Sequence, residues 1–353
     1  MSVRIQIWNF CIKFFKMIKG HGDDIFAYKN IRLNFSSNIY PKADITPLLN
    51  YLSENLDVIK NYPEPSAQTL EDAIAKYHSV PAKNVLATAG ATEAIYLIAQ
   101  TFRKMGSFSV CNPAFREYED ACKVFGMNES PRSRIYWICN PCNPTGEVFC
   151  TEEVDGLLNE HELVVEDLSY KDYTLEKMMS VAEGLDRKGL IQLYSLTKRY
   201  AIPGLRIGYV IASEEIISRL RENTHPWSVN SLAIVAGKFL LKSDFKAIPN
   251  LPSYLAVAQR LRDALNYLDG VEVLESKTNF MLCKLSGGGK YGELTVNWTA
   301  EDLKEFLARE KGILIRSAAN FKTLTPYHFR VASSIEEENA ELVAGIKEFL
   351  ERI

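Results

Sequence analysis

Lys198 is the residue whose position most favours covalent chemistry. It ends the segment Ser195-Leu196-Thr197-Lys198, in which the apolar run 190–196 is typical of a buried strand. Arg206 follows eight residues later. A lysine amine that is held at the end of a buried strand is shielded from water and can act as a nucleophile. A surface lysine is the ordinary alternative, so the interpretation depends on the residues that accompany Lys198.

Two other loops carry polar side chains directly after apolar runs. Asp167 and Tyr170 follow the run 163–166, and an Asp at that position can pair with a cation or can simply cap a helix. Asn143 lies in the segment 140–146, Asn-Pro-Cys-Asn-Pro-Thr-Gly, where the prolines predict a rigid turn that projects an amide side chain. Each loop alone has an ordinary structural explanation.

A fourth loop, Gly90-Ala91-Thr92, separates a predicted strand from a predicted helix. Small residues let the backbone approach an anion closely, and the free N–H groups at a helix start attract phosphate. A simple helix start explains this segment equally well when it is taken alone. Together, the four loops predict an anion site, an amide, a carboxylate and an amine near one another.

Strands that alternate with helices are expected to position these loops. The spacing of Ala94, Ile95, Ile98 and Phe102 predicts a helix after Gly90, buried on one face. Strands are predicted at 84–88, 134–139, 163–166, 190–196 and 207–212. This order predicts an α/β domain with a mostly parallel sheet, whose ligands bind at the carboxyl ends of the strands.

The C-terminal part is expected to form a smaller α+β domain. Its predicted helices are 255–268, 299–309 and 335–353, and its predicted strands are 271–273, 280–284 and 313–316. We therefore expect an N-terminal arm or extension at 1–40, a large domain at 41–240 and a small domain at 241–353. Residues 286–291 resemble a phosphate-binding loop, but Lys284 and Tyr291 break that motif, so a surface turn is predicted.

Composition excludes several classes of protein. The 353 residues carry a formal net charge of -3, which argues against a nucleic-acid partner, and no apolar run is long enough for a membrane span. Seven cysteines, an odd number in a long chain, favour reduced thiols and a cytoplasmic location. Cys139 and Cys142 form a C-x-x-C motif without a second pair, so no metal is expected.

The first nineteen residues combine apolar side chains with lysines at 13, 16 and 19. The lysines interrupt the apolar stretch that a signal peptide requires, and no small-residue cleavage site follows. We hypothesise that Met17 is an alternative start and that residues 1–16 lie outside the fold.

The four loops together resemble the fold-type I superfamily of aminotransferases, which depend on pyridoxal 5'-phosphate (PLP). The resemblance covers most of the chain, from about Asn34 to Arg330, in the order that the family has. It implies an aspartate-aminotransferase-like large domain with a seven-stranded, mostly parallel sheet. Cys142 stands where Asn is frequent in the family, but that position carries no cofactor contact.

The resemblance also implies a role for each matching residue. Lys198 would bind the cofactor as a Schiff base and move a proton, Asp167 would pair with the pyridine nitrogen, and Tyr170 would bind the phenolic oxygen. Asn143 would also bind that oxygen, and Phe115 would stack on the ring. The residues expected at the cofactor phosphate are Gly90, Ala91, Thr92, Ser195, Thr197, Arg206 and, from a neighbouring subunit, Tyr62. A homodimer is therefore expected.

Two groups within the superfamily are most similar to this chain. The segments 21–25, 33–38 and 226–230 resemble L-threonine-O-3-phosphate decarboxylase, which we favour, and histidinol-phosphate aminotransferase is the alternative. Both act on small phosphorylated amino compounds, so a second anion site is expected. Arg330 would bind a carboxylate. The candidates for the rest of the substrate are Arg316, Asn38 and His21.

Sequence leaves the reaction open. PLP labilises whichever bond of the α-carbon lies perpendicular to its ring, so the orientation of the substrate decides between loss of CO₂ and transamination. A catalytically inactive binding protein is a third possibility, which the presence of Lys198, Asp167, Tyr170, Asn143 and Arg206 makes the least favoured.

Overall fold

The computed structural model describes residues 24–286, 289–291, 294–296 and 298–352. The strands of this described part are β1 (Leu33–Asn34), β2 (Val85–Thr88), β3 (Ser107–Val110), β4 (Asn128–Glu129), β5 (Ile135–Cys139), β6 (Leu163–Asp167), β7 (Leu190–Ser195), β8 (Gly208–Ala212), β9 (Val271–Val273), β10 (Phe280–Leu285), β11 (Gly289–Tyr291), β12 (Leu294–Val296), β13 (Ile313–Leu314), β14 (Arg316–Ser317) and β15 (His328–Ala332). The α-helices are α1 (Thr46–Glu54), α2 (Gln68–His78), α3 (Ala91–Phe102), α4 (Glu117–Val124), α5 (Thr151–Glu160), α6 (Val181–Leu185), α7 (Leu196–Arg199), α8 (Glu214–Arg221), α9 (Ser231–Lys242), α10 (Leu251–Asn266), α11 (Ala300–Phe306) and α12 (Glu336–Glu351).

The largest sheet has seven strands in the order β2-β8-β7-β6-β5-β3-β4. Strand β8 runs antiparallel to both of its neighbours, β2 and β7, and the other adjacent strands are parallel. The predicted α/β class and the seven-stranded, mostly parallel sheet are therefore confirmed. All of the parallel strands end at one edge, and the loops that follow them meet there.

Both faces of this sheet are buried. One apolar cluster contains Val165 and Val210, and a second contains Tyr209 and Ile211. Since successive residues of a strand point to opposite faces, the two clusters lie on opposite sides of the sheet. Helices that cover both faces explain why the strands read as nearly continuous apolar runs. Among the described residues, no helix is both long and apolar enough to span a bilayer.

A second sheet forms in the C-terminal part of the chain. Its four strands follow the order β14-β15-β10-β9 and are antiparallel, and their buried side chains form a separate apolar cluster with helices α10, α11 and α12. Strand β1 pairs in parallel with β13, so residues 33–34 join this part of the molecule although they lie near the start of the chain. This pairing brings the segment that follows β1 towards the loops of the large sheet.

Several predicted boundaries were wrong. The strand expected to begin at residue 84 begins at Val85, because residues 82–84 form a 3₁₀ turn. The strand predicted at 313–316 is two strands, β13 and β14, which join different sheets. The helix predicted at 299–309 changes from α to π geometry after Phe306 and continues to Lys311.

Other elements were not anticipated from the sequence. Residues 286–291 were predicted to form a surface turn, but Gly289–Tyr291 is a strand that pairs antiparallel with β12. Strands β3 and β4 were missed, because β3 is a partly polar four-residue segment and β4 consists of two exposed polar residues. The hypothesis about residues 1–16 concerns a segment that lies outside the described residues.

A close approach at Gly208 holds two of the predicted loops side by side. Gly208 pairs with Thr88 on β2 and with Ser195 on β7. A Cβ atom at position 208 would lie 2.7 Å from the carbonyl carbon of Gly90 and 2.8 Å from the nitrogen of Ala91. Because real Cβ atoms do not approach backbone atoms this closely, the position requires glycine.

We predict that Gly208→Ala destabilises the protein by roughly 1–3 kcal/mol, because the backbone around Gly90 must move to admit the methyl group. Thermal unfolding of the cofactor-free protein measures this change. Gly156→Ala is the matched control, since Gly156 lies in α5 with open space around its Cβ position. The control should gain up to about 1 kcal/mol, and a loss in both variants would contradict the steric explanation.

Candidate active site

A cavity of about 490 Å³ opens at the edge of the large sheet where the parallel strands end. Loops that follow β2, β3, β5, β6 and β7 border it, together with the loop before β8, the segment after β1 and strands β14 and β15. The residues that line the cavity are Ser36, Ser37, Asn38, Ile39, Thr92, Phe115, Arg116, Glu117, Asn143, Tyr170, Lys198, Pro203, Arg206, Arg316, Asn320, Phe321 and Arg330.

Most of the residues predicted from the sequence meet at this cavity. Those that line it are Asn38, Thr92, Phe115, Asn143, Tyr170, Lys198, Arg206, Arg316 and Arg330. The predicted residues that lie at the adjoining strand ends and helix starts without lining the cavity are Gly90, Ala91, Asp167, Ser195 and Thr197. Tyr62 is apart from the cavity, 83% exposed, with its ring 5.5 Å from that of Trp227. His21 lies outside the described residues.

The start of α3 forms one end of the site. Gly90 is the N-cap of this helix, with φ +87° and no side chain that could bond to the free N–H groups of the first turn. The Arg206 guanidinium lies against it, since a Cβ at Gly90 would be 2.7 Å from Nη2 of Arg206. The nearby Thr197 is buried, and its hydroxyl has no hydrogen-bond partner within the described chain. These groups can hold an anion such as a phosphate.

Asp167 is a buried carboxylate at the end of β6. Its Oδ2 accepts a hydrogen bond from the Tyr118 hydroxyl at 2.7 Å, and its Oδ1 accepts one from the Ser169 N–H at 2.9 Å. Burial raises the pKa of Asp167, whereas the two hydrogen bonds and the charge of Lys198 lower it. A buried carboxylate of this kind is suited to a positively charged ligand.

Lys198 is placed by the turn from β7 into α7. Its backbone carbonyl accepts a hydrogen bond from the Tyr173 hydroxyl at 2.9 Å, and that hydroxyl accepts one from the N–H of Tyr40 at 3.0 Å. The Lys198 ammonium lies 6.0 Å from the centre of the Tyr170 ring. A fully buried tyrosine therefore connects the backbone of the candidate nucleophile to the segment after β1.

The loop that carries Asn143 is held closed by buried hydrogen bonds. Asn140 donates to the Phe149 carbonyl at 3.0 Å and accepts from the Phe149 N–H at 2.9 Å. It also donates to Glu166 at 2.8 Å, and Gln192 donates to the same carboxyl at 3.1 Å. Burial raises the pKa of Glu166. The loop is thus fixed to β6 and β7 before any ligand is present.

Two buried arginines lie side by side at the other end of the cavity. Arg316 on β14 is the direct cross-strand partner of Arg330 on β15. Arg330 donates to Asn143 Oδ1 at 2.6 Å and to the Ser36 carbonyl, while Arg316 donates to Asn320 at 2.8 Å. Burial lowers the pKa of Arg316, although an arginine remains charged at neutral pH.

The cavity is strongly positive. Among the described residues, one carboxylate lines it, that of Glu117, against five basic side chains: Arg116, Lys198, Arg206, Arg316 and Arg330. Glu117 accepts a hydrogen bond from Tyr96, and Arg116 is paired with Asp120. Clefts lined by one sign of charge concentrate ligands of the opposite sign. The site therefore favours ligands with more than one anionic group.

Comparison with known proteins identifies the family. The family model for aminotransferase class I and II matches residues 30–131 and 127–346, which is most of the chain. The chain belongs to this family. The crystal structure of L-threonine-O-3-phosphate decarboxylase from Porphyromonas gingivalis is 36% identical, with a TM-score of 0.84, and covers 90% of this chain and 99% of that one.

Two curated relatives are similar over nearly the same length. Threonine-phosphate decarboxylase of Salmonella typhimurium is 28% identical over 90% of this chain and 91% of its own. Histidinol-phosphate aminotransferase of Caldanaerobacter subterraneus is also 28% identical, over 93% of this chain and 98% of its own. The chain is an enzyme of this PLP-dependent class.

The residues at the cavity fit PLP. The unpartnered Thr197 hydroxyl and the uncapped start of α3 suit its phosphate. The buried carboxylate of Asp167 suits a protonated ring nitrogen. Lys198 supplies an amine for its aldehyde. The three matches involve different atoms on different loops, so the site as a whole is complementary to PLP.

Some cavity residues were missed in the sequence. Ser36, Ser37 and Ile39 accompany the predicted Asn38, and Asn320 follows Arg316 by four residues. Tyr118, which donates a hydrogen bond to Asp167, lies three residues after Phe115, in the first turn of α4. The sequence shows this spacing, but a tyrosine in a predicted helix is ordinarily interpreted as a core residue unless the hydrogen-bond partner of its hydroxyl is known.

We predict that Thr197→Val weakens PLP binding by roughly tenfold or more, because a hydrogen bond to a charged phosphate is lost. The stability of the cofactor-free protein should be unchanged or higher, since a buried hydroxyl without a partner is removed. Spectroscopic titration of the apoprotein measures the affinity. Thr101→Val is the control, because Thr101 carries another partnerless hydroxyl, away from the cavity. Equal loss of affinity in both variants would refute the assignment.

Proposed function

We propose that the protein decarboxylates L-threonine O-3-phosphate to (R)-1-aminopropan-2-yl phosphate, a step of cobalamin biosynthesis. The observation that carries this proposal is the pairing of Arg316 with Arg330 on adjacent strands at one cavity. Two guanidinium groups provide for the two anions of the substrate, its carboxylate and its phosphate. The similarity to the decarboxylases of Porphyromonas gingivalis and Salmonella typhimurium supports the same substrate.

The residues of the chain would divide the work as follows. Bound PLP accepts electrons from the α-carbon of an amino acid. Asp167 keeps the ring nitrogen protonated, Asn143 and Tyr170 bind the phenolic oxygen, and Phe115 covers the ring. The anion site of Gly90, Ala91, Thr92, Ser195, Thr197 and Arg206 holds the cofactor phosphate.

The substrate end of the cavity would set the reaction. Arg330 and Arg316 hold the two anionic groups, and the buried amide of Asn38, which lines the cavity, provides a further donor and acceptor. In decarboxylation the bond between the α-carbon and the carboxylate breaks, CO₂ leaves and a proton is added to the same carbon. The Lys198 amine would deliver that proton.

Transamination of histidinol phosphate is the second candidate. It is supported by the similarity to the aminotransferase of Caldanaerobacter subterraneus over 98% of that protein. Histidinol phosphate carries a phosphate but no carboxylate, so it would use one of the two arginines, and 2-oxoglutarate would use both in the second half of the reaction. In this case Lys198 would remove the α-proton instead of returning one.

The decisive experiment uses purified, PLP-loaded protein and L-threonine O-3-phosphate without a keto acid. We expect aminopropanol phosphate and CO₂, detected by mass spectrometry, and no product from Lys198→Ala protein. If L-threonine O-3-phosphate is not turned over and a parallel reaction shows amino transfer from histidinol phosphate to 2-oxoglutarate, the proposed function is wrong and the aminotransferase activity takes its place.

We predict that Arg316→Gln raises KM for L-threonine O-3-phosphate by roughly 10- to 100-fold, because a charged hydrogen bond to the phosphate is lost. Steady-state kinetics with this substrate and with unphosphorylated L-threonine measures the effect. Activity with L-threonine, which is expected to be weak in both proteins, should be nearly the same for the variant and the wild type.

The control for this prediction is Arg309→Gln. Arg309 is exposed and paired with Glu305, so its loss should leave both substrates unaffected. Equal impairment of Arg316→Gln with both substrates would show that Arg316 does not bind the phosphate.

The proposal includes a homodimer. Five large apolar side chains are exposed, and the rings of the last two lie 5.5 Å apart: Leu49, Leu56, Ile59, Tyr62 and Trp227. Exposed apolar patches of this kind mark contact surfaces, and a second subunit is the partner that would bring Tyr62 to a cofactor phosphate.

We also propose that the chain divides into a large domain at residues 41–240 and a small domain at residues 241–353, supported by the separate apolar clusters around the two sheets. A cytoplasmic location is supported by the six described cysteines, which are all free.

A further inference from the structure

Tyr118 is a buried tyrosine behind the cavity that none of the roles above uses. It lies on α4 and is completely shielded from solvent. Its hydroxyl donates to Asp167 Oδ2 at 2.7 Å. Burial and the neighbouring Asp167 raise the pKa of Tyr118, so the hydroxyl stays protonated and acts as a donor at neutral pH. A buried hydroxyl of this kind stabilises the carboxylate form of its partner.

The Tyr118 ring is held in place on two sides. It stacks on Trp137 with a centroid distance of 5.4 Å, and it meets Phe115 edge to face at 5.8 Å. Phe115 lines the cavity, and Trp137 belongs to strand β5. One side chain therefore contacts both the carboxylate proposed for the ring nitrogen and the aromatic residue proposed to cover the ring.

The two oxygens of Asp167 are fixed by different donors. Oδ1 accepts from the N–H of Ser169 at 2.9 Å, and Oδ2 accepts from Tyr118. The second donor is a side-chain hydroxyl, so a substitution of Tyr118 removes it. Without it, a buried carboxylate would lose a donor that offsets its desolvation.

We infer that Tyr118 is a positioning residue, which keeps Asp167 ionised and oriented towards the ring nitrogen of PLP. The inference rests on the proposed role of Asp167. It differs from a packing role, because packing would support every ligand of the cavity equally. The proposed role depends on the ring nitrogen itself.

The test compares two ligands of the apoprotein. One is PLP, and the other is its analogue in which a C–H group replaces the ring nitrogen. We expect Tyr118→Phe, which keeps both ring contacts, to weaken PLP binding by roughly tenfold and to change analogue binding less than twofold. Equal weakening with both ligands would overturn the inference in favour of packing, and no weakening with either ligand would overturn it as well.

Two further variants make the result specific. Tyr254→Phe removes another buried hydroxyl, which donates to the Ser333 carbonyl at 2.6 Å outside the cavity lining, and should bind both ligands as the wild type does. Asp167→Asn should lose affinity for PLP relative to the analogue. If it does not, the proposed role of Asp167 is wrong whatever Tyr118→Phe shows, so the two failures are distinguishable.

The pH dependence of the loaded enzyme gives a second readout. A donor to the carboxylate lowers the pKa of Asp167, so its removal should raise that pKa, and activity should be lost at a higher pH on the acid side. We expect the acid limb of kcat for Tyr118→Phe to move up by roughly one pH unit. An unmoved acid limb with a lower kcat would contradict control of the Asp167 charge.

Discussion

The contact between Gly208 and the turn at Gly90 is the constraint on which the site depends. Strand β8 is antiparallel between two strands that run in the other direction, so its first residue lies at the edge where β2 and β7 end. That placement brings the start of α3, the Ser195–Lys198 turn and Arg206 into one corner. Because no side chain fits there, the backbone atoms themselves form the wall of the anion site.

A second constraint joins the two sheets. Arg330 belongs to β15, yet it donates to Asn143 in a loop of the large sheet and to the Ser36 carbonyl after β1. Three remote parts of the chain are thus fixed around one guanidinium. Under the proposed function, a substrate anion bound by Arg330 would contact a group that also positions the Asn143 amide, and substrate binding would then be coupled to cofactor binding.

The cofactor side of the site was predictable because its residues follow strands whose apolar runs are unmistakable. Lys198, Asp167 and Asn143 each come directly after such a run, and parallel strands place their ends together. The cross-strand pairing of Arg316 with Arg330 was not predictable, since it depends on a break at residue 315 and on antiparallel register. The hydrogen bond from the Tyr118 hydroxyl to Asp167 joins residues that are 49 positions apart in the sequence, and hydrophobic periodicity does not indicate contacts between such distant positions.

The buried polar groups at the cofactor site have a consequence for the life of the protein in the cell. In the free protein, Asp167 is a desolvated carboxylate and Thr197 a desolvated hydroxyl, so the folded state gains stability when a ligand satisfies them. Saturation at a hundred times the dissociation constant adds about 2.7 kcal/mol to the folded state. Chains made during vitamin B6 shortage would therefore be degraded faster, and the abundance of the enzyme would follow the supply of its own cofactor.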